Sequence, residues 1–119
     1  MALSMDIEQT YQRGFALRCE GRYEEAKAEF RQVLMQDPGH CESQWQMGLI
    51  QGFEGDFDGS LATLQTLANK HPNNLNVRYD YAMTLMMLGD FDQACAELKF
   101  ILSKDPAHEK ALQQATYCP

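Results

Sequence analysis

Four sets of small, turn-forming or helix-ending residues recur in this chain at a fixed interval of 34 residues. One set is the glycines at 21, 55 and 89, each followed two residues later by an aromatic residue. Those aromatics are Tyr23, Phe57 and Phe91, and the other sets are Gly14, Gly48 and Ala82; Ala26, Ser60 and Ala94; and Pro38, Pro72 and Pro106. A threefold repeat of this length is typical of stacked structural units. It favours a surface that binds other polypeptides.

Each 34-residue unit predicts two helices, a leading helix before the repeated glycine and a trailing helix after it. The predicted pairs cover residues 7–20 and 23–36, 41–54 and 57–70, and 75–88 and 91–104. Glycine suits the left-handed conformation that ends the leading helix. Proline ends the trailing helix because it lacks an amide and restricts the preceding residue. The remaining residues 109–117 predict a capping helix, which a solenoid needs to cover its last apolar face.

The side chains at the repeated positions also predict the helix starts and the core. Asp56 and Asp90 stand where a helix N-cap is preferred, and Asp90 with Gln93 has the spacing of a capping box. Arg22 occupies the equivalent place in the first unit, so that helix start should be the weakest. The small residues mark the contact between the helices of a pair. The larger core residues are Phe30, Leu64, Leu98, Val33, Leu67 and Ile101.

Three registered copies of one pattern carry a family resemblance. The pattern reads Gly14, Gly21, Tyr23, Ala26, Phe30 and Pro38 in the first copy and returns in the other two. It resembles the tetratricopeptide repeat over about residues 7–108. The resemblance implies an all-α, right-handed solenoid of three antiparallel helix pairs with a C-terminal capping helix. We expect one domain over residues 1–119, with repeats at about 7–40, 41–74 and 75–108.

Composition excludes several classes of partner. The net charge is −7 and the pI is about 4.8, whereas nucleic acids and anionic membranes require a basic face. Residues 1–6 lack the basic start and apolar run of a signal peptide, and no stretch approaches the length of a membrane span. We therefore expect a cytoplasmic protein that binds neither nucleic acid nor membrane. A signal or an anchor could still lie outside this sequence.

The sequence offers little for metal, cofactor or catalytic chemistry. Cys19, Cys41, Cys95 and Cys118 form no CxxC pair, so we expect four reduced and mostly buried thiols rather than a disulfide or a zinc site. The histidines at 40, 71 and 108 lie near the repeat junctions, where a histidine more often interacts with a helix end than acts as a base. No serine or cysteine has an activating partner at a recognisable spacing. We expect no metal, no cofactor and no enzymatic activity.

The resemblance implies that the leading helices line a concave groove for a peptide. Residues at four-residue spacing place one apolar stripe on each leading helix. The predicted peptide-binding residues are Tyr11 and Phe15; Trp45, Leu49 and Phe53; and Tyr79, Met83 and Met87. An exposed row of aromatic residues and methionines suits an apolar or amphipathic peptide. The alternative is that these side chains only pack neighbouring leading helices together. That alternative suits Phe15, Leu49 and Met83 better than Tyr11, Trp45 and Tyr79, so we expect the latter three, with Phe53, to be the binding anchors.

Some members of the family grip the acidic C-terminal tails of chaperones with a carboxylate clamp of lysines, asparagines and an arginine, and the resemblance shows which residues stand at those places here. The corresponding places hold Tyr11, Phe15, Gln46, Asn76 and Asp80. They contain no cation, and Asp80 would repel a carboxylate. We therefore expect an adaptor, scaffold or chaperone-like module without a carboxylate clamp. A chaperone for secreted or membrane-bound apolar segments is a narrower form of this expectation. The alternatives are a self-associating structural module and a regulatory domain of a larger and possibly enzymatic protein.

Overall fold

The computed structural model describes residues 6–119, and residues 1–5, for which the sequence predicts no signal peptide, lie outside that range. Between residues 6 and 119 the chain forms seven α-helices and no strand. The helices are α1 (Ile7–Cys19), α2 (Tyr23–Gln36), α3 (Cys41–Phe53), α4 (Phe57–Lys70), α5 (Leu75–Met87), α6 (Phe91–Lys104) and α7 (Glu109–Ala115). The predicted all-α class and helix order are confirmed, whereas the handedness of the solenoid stays a prediction.

The leading helices end one residue earlier than predicted, and the reason is the geometry at the repeated glycines. Gly21 has a φ of 79°, and its amide bonds to the Arg18 carbonyl at 2.9 Å. The Arg22 amide reaches back to the Leu17 carbonyl at 2.9 Å, which completes a Schellman motif. The equivalent glycines at 55 and 89 have φ values of 93° and 85°. The residue before each glycine is therefore the C-cap rather than the last helical residue.

The described chain divides into two compact units, one ending at Gly55 and the other running from Asp56 to Pro119. Unit 1 contains α1, α2 and α3, and its core is built from Ala26, Phe30 and Ile50, all fully buried. Phe30 packs so close to Gly14 that a Cβ at Gly14 would lie 2.7 Å from its Cε1 atom. This contact confirms the predicted reason for a small residue inside the leading helix.

Unit 2 contains α4 to α7, and its core includes Ala82, Leu98, Ile101 and Ala111. Ala82 and Leu98 are the repeat equivalents of Gly14 and Phe30. Ala111 lies on α7 and is fully buried against this cluster. The capping role predicted for the last helix therefore has a structural basis, although α7 stops at Ala115 and is two residues shorter than expected.

Helix starts follow the predicted pattern with one correction. Asp56 and Asp90 accept hydrogen bonds from amides three residues ahead, whereas Arg22 makes no side-chain cap. The capping-box spacing of Asp90 and Gln93 yields only one of the motif's two bonds, the one from the Gln93 amide to the Asp90 side chain. The Asp90 amide is already bonded to the Leu85 carbonyl at 2.9 Å, and the Gln93 side chain donates instead to the Tyr81 hydroxyl at 2.8 Å.

The prediction of four reduced, mostly buried thiols was wrong. Cys95 on α6 and Cys118 form a disulfide with Cα atoms 5.8 Å apart. Spacing along the chain could not show this pair, because α7 returns the C-terminal segment to α6. Cys19 and Cys41 lie outside this disulfide, Cys19 as an exposed thiol and Cys41 as a half-buried one.

Candidate functional site

The predicted stripe on α1 lies beside the core of unit 1. The Phe15 side chain is 36% exposed, while Tyr11 is half-buried. The Tyr11 ring lies 6.3 Å from Phe15, 5.8 Å from Phe30 and 5.5 Å from His40, as measured between ring centroids. Burial, and then the charge of Glu42, raise the pKa of Tyr11. Tyr11 therefore anchors the stripe to the core, and Phe15 presents it to solvent.

The end of α1 meets the end of α3 in a group that we call the aromatic–arginine cluster: Phe15, Arg18, Tyr23 and Phe53. The Arg18 guanidinium carbon lies 5.0 Å from the Phe15 ring centroid and 5.7 Å from that of Phe53. Tyr23 stacks on Phe53 at 5.7 Å with an interplanar angle of 22°. Phe53 nevertheless remains 51% exposed. Arg18 thus links the predicted residues Phe15 and Phe53, and Tyr23 supports Phe53.

The rest of the α3 stripe is less accessible. Trp45 and Leu49 are both half-buried. The neighbouring Gln46 is buried, and its interaction with Tyr11 opposes the effect of burial on the pKa of that tyrosine. Accessibility therefore increases along α3 towards Phe53.

In unit 2 the solvent accessibility of the predicted stripe also increases along its helix, α5. Tyr79 and Met83 are half-buried against the core cluster, whereas Met87 is 67% exposed. The Tyr79 ring lies 6.0 Å from the His108 ring and 5.8 Å from the Nζ atom of Lys110. Burial raises the pKa of Tyr79, with a smaller contribution from Asp80. The capping helix therefore contacts the stripe at its buried end.

A histidine and a glutamine accompany the stripe tyrosine in each unit, although neither residue was predicted to belong to the stripe. His40 and Gln46 contact Tyr11, while His108 and Gln114 contact Tyr79. The two sets are separated by 68 residues, which is twice the repeat interval. That spacing is the signal that could have found them. The expectation that His40 and His108 interact with helix ends is confirmed, because their Nδ1 atoms accept from the amides of Ser43 and Ala111.

The places of the family's carboxylate clamp carry no cation in either unit. In unit 1 they hold Tyr11, Phe15 and the buried Gln46, and in unit 2 they hold Asn76 and Asp80. Over residues 6–119 no group of three His, Cys, Asp or Glu side chains is arranged to hold a metal ion. No helix within the same range is long and apolar enough to cross a membrane.

Comparison with known proteins identifies the family. Residues 54–116, about half of the chain, match a sequence profile described as tetratricopeptide repeat, and residues 8–40 match a second profile of the same description. The chain belongs to the tetratricopeptide repeat family. Its fold is accordingly that of a protein-interaction module. No curated protein gave a significant sequence match.

Solved structures of tetratricopeptide repeat proteins share the fold. A structure of PcrH in complex with the chaperone-binding region of PopB matches with a TM-score of 0.78 and 24% identity, over 97% of this chain and 96% of PcrH. A tetratricopeptide repeat protein from Parabacteroides merdae matches with a TM-score of 0.77 and 18% identity, over 92% of this chain and 44% of that one. MamA AMB-1 matches with a TM-score of 0.73 and 23% identity over 95% of this chain, which spans only 62% of MamA.

Proposed function

We propose that this tetratricopeptide repeat chain binds an apolar or amphipathic segment of another protein through the stripes on its leading helices. The binding residues of the proposal are Tyr11, Phe15, Trp45, Leu49, Phe53, Tyr79, Met83 and Met87. Each unit contributes its own exposed end of a stripe. Phe15 and Phe53 do so in unit 1, and Met87 does so in unit 2.

One observation carries the proposal: Phe15 and Phe53 converge at the surface of unit 1 while remaining 36% and 51% exposed. The core ring Phe30 of the same unit is fully buried, so the unit can bury an aromatic side chain where packing requires it. Exposed apolar patches mark interaction sites, and aromatic residues are the usual anchors of interfaces. Met87 adds a flexible side chain, which suits a surface that adapts to its ligand.

The likeness to PcrH supports the proposal from another direction. PcrH was solved with a region of PopB bound, and it matches this chain over nearly the full length of both. A fold of this size can therefore hold a segment of another polypeptide. Recognition without the family's carboxylate clamp, as expected from the sequence, is consistent with a ligand held mainly by apolar contacts.

The experiment uses a random peptide library displayed on phage, selected against the full chain. We expect enrichment of peptides with apolar residues at regular spacing. A synthetic copy of the most enriched peptide is then titrated while the fluorescence of Trp45, the only tryptophan of the chain, is followed. Replacing both Phe15 and Phe53 with alanine should weaken its binding by at least about thirtyfold, which corresponds to about 2 kcal/mol for the loss of a hot spot.

The matched control is Met35→Ala, because Met35 is 77% exposed but lies on the trailing helix α2 of the same unit. It should bind the peptide as the wild type does. Circular dichroism verifies that both variants retain their helices. Equal affinity of the double variant and the wild type, with helicity intact, would refute the assignment of these residues.

A second candidate function is self-association through unit 2. Phe91 is the repeat equivalent of Tyr23, but it is 61% exposed, whereas Tyr23 stacks on Phe53. An aromatic ring exposed in this way can be covered by a second copy of the chain. Sedimentation at rising concentration would then show dimers that Phe91→Ser abolishes. A wild type that stays monomeric leaves peptide binding as the function.

A further inference from the structure

Arg18 is a cation held between two aromatic rings that come from different helices. Its guanidinium lies over Phe15 of its own helix and over Phe53 of α3. Its Nε atom is buried without a hydrogen-bond partner among the described residues, and its Nη2 atom makes a long contact of 3.8 Å with the Sγ atom of Cys19. The group is thus partly desolvated and positioned, yet its hydrogen-bonding capacity is largely unused.

The carboxylates around the cluster are engaged with other cations. Glu54, which follows Phe53, bonds to Lys27 at 2.9 Å, and Glu20 bonds to Arg22 at 3.2 Å. Within residues 6–119 no carboxylate forms an ion pair with Arg18 within 4.0 Å. The local acidic residues therefore do not satisfy its charge, although the whole chain is acidic.

We propose that Arg18 binds the side-chain carboxylate of an Asp or Glu in the partner segment, while Phe15 and Phe53 contact apolar residues beside it. This inference rests on the proposed function and names the chemistry of its ligand. Because Nε is buried, the Nη1 and Nη2 groups are the ones that a ligand can reach, and their parallel N–H bonds match a carboxylate in a bidentate geometry. A monoanion suits the site better than a phosphate, because the net charge of −7 opposes a dianionic ligand.

This site differs from the family's carboxylate clamp in position and in composition. The clamp places in unit 1 hold Tyr11, Phe15 and Gln46, whereas Arg18 lies one turn after Phe15 near the end of α1. A ligand for the aromatic–arginine cluster combines one acidic residue with flanking apolar residues. It is therefore an amphipathic acidic segment rather than a polar acidic tail.

The first test compares phage selections against the wild type and Arg18→Gln. Each displayed peptide is fused to the coat protein through its C-terminus, so that only side chains supply carboxylates. We expect wild-type selections to enrich an Asp or Glu flanked by apolar residues. Selections against Arg18→Gln should keep the apolar residues and lose the acidic one. Circular dichroism checks that the variant is folded.

The second test is a double-mutant cycle with a synthetic, C-terminally amidated copy of the best wild-type peptide. Exchanging its acidic residue for the amide should weaken binding to the wild type about tenfold, as expected for a charge-assisted pair. The same exchange should change binding to Arg18→Gln less than about twofold. Lys27→Gln is the matched control, because Lys27 is engaged with Glu24 and Glu54, and it should retain the full tenfold discrimination.

The outcomes separate this inference from the proposed function. If selections against the wild type enrich apolar peptides with no preference for Asp or Glu, the proposed role of Arg18 is overturned, but the binding of apolar segments still stands. If exchanging the acidic residue for the amide weakens binding to Arg18→Gln tenfold as well, the peptide carboxylate binds to a residue other than Arg18, and the inference is overturned. Failure to enrich any apolar peptide would overturn the proposed function and, with it, the inference.

Discussion

The Tyr11 ring lies 5.5 Å from the ring of His40, and His40 in turn caps α3 by accepting the Ser43 amide through Nδ1 at 3.2 Å. Unit 2 contains the same arrangement in Tyr79 and His108. One histidine therefore connects a tyrosine of the candidate binding face to the first turn of a following helix. Packing and the proposed recognition would therefore share this part of the surface, because the tyrosine that borders the candidate face also contacts the helix cap.

Replacing His40 with alanine should lower the free energy of unfolding by about 1 kcal/mol, because the cap of α3 is lost. His40→Asn should retain most of the stability, since asparagine is a good N-cap. Urea unfolding followed by circular dichroism measures both variants. An alanine variant as stable as the wild type would contradict a role for the cap, and equal losses in both variants would assign the effect to the Tyr11 contact.

Gly14→Ala should destabilise the chain although alanine favours helix. The new Cβ would lie 2.7 Å from Cε1 of the fully buried Phe30, and overpacking of this kind costs about 1–3 kcal/mol. The gain in helix propensity offsets only about 1 kcal/mol of that cost. Urea unfolding should therefore show a net loss of stability.

The third repeat supplies the control for this substitution, because Ala82 and Leu98 occupy the same two positions there and are both buried. Adding Phe30→Leu to Gly14→Ala recreates that combination in unit 1. The double variant should be less destabilised than the sum of the single variants. Simple additivity would show that the glycine and the phenylalanine are not coupled.

The sequence predicted the helices and the core well because both follow local rules that repeat. Left-handed glycines end the leading helices, and the positions predicted to be large and apolar are buried. The Cys95–Cys118 disulfide depends instead on the path of the chain after α7, which has no counterpart in the repeat. The Gln93 side chain bonds to Tyr81 because the Asp90 amide, its partner in a capping box, is already bonded to the Leu85 carbonyl. Neither could be seen in residue spacing.

The candidate site was predicted unevenly for a similar reason. The repeat interval placed Phe15, Phe53 and Met87 on the leading-helix stripes, and all three are exposed. It also favoured Tyr11 over Phe15 as a binding anchor, whereas contacts with Phe30 and His40 partly bury Tyr11 and leave Phe15 the more exposed of the two. The position of Arg18 over two rings also needs the actual approach of α1 to α3.

Removing Glu97 should destabilise unit 2 by about 3 kcal/mol, because it leaves the guanidinium of Arg78 without its carboxylate. Arg78 is only 8% exposed, pairs with Glu97, and donates to the Ala68 carbonyl at 3.0 Å. Urea unfolding of Glu97→Ala measures the loss. Glu97→Gln keeps an acceptor and should lose less, and the double variant Arg78→Met with Glu97→Leu should be more stable than Glu97→Ala. If Glu97→Ala is neutral, the ion pair contributes nothing to folding.

Stability should fall as the pH rises above about 10. Burial is the main cause that raises the pKa of Tyr11, Tyr79 and Tyr81 in the folded chain. Unfolded tyrosine loses its proton at about pH 10, while the folded forms keep theirs, so the folded state binds more protons and is disfavoured as the pH rises. Urea midpoints across this alkaline range test the slope. Tyr79→Phe should reduce it, and an unchanged slope would contradict the shift at Tyr79.

Loss of the disulfide should release the capping helix. The bond joins residues 23 apart in the chain, and closing a loop of that length stabilises the folded state by about 3 kcal/mol in the chain-entropy account. Cys118→Ser should therefore lower the urea midpoint and speed hydrogen exchange of the amide of Ala111, the buried residue of α7.

Cys19→Ser is the matched control for the loss of the disulfide, since Cys19 is an exposed free thiol. A reductant should bring the wild type to the behaviour of Cys118→Ser and leave that variant unchanged. A wild type whose unfolding is insensitive to reductant would contradict a stabilising role for the bond.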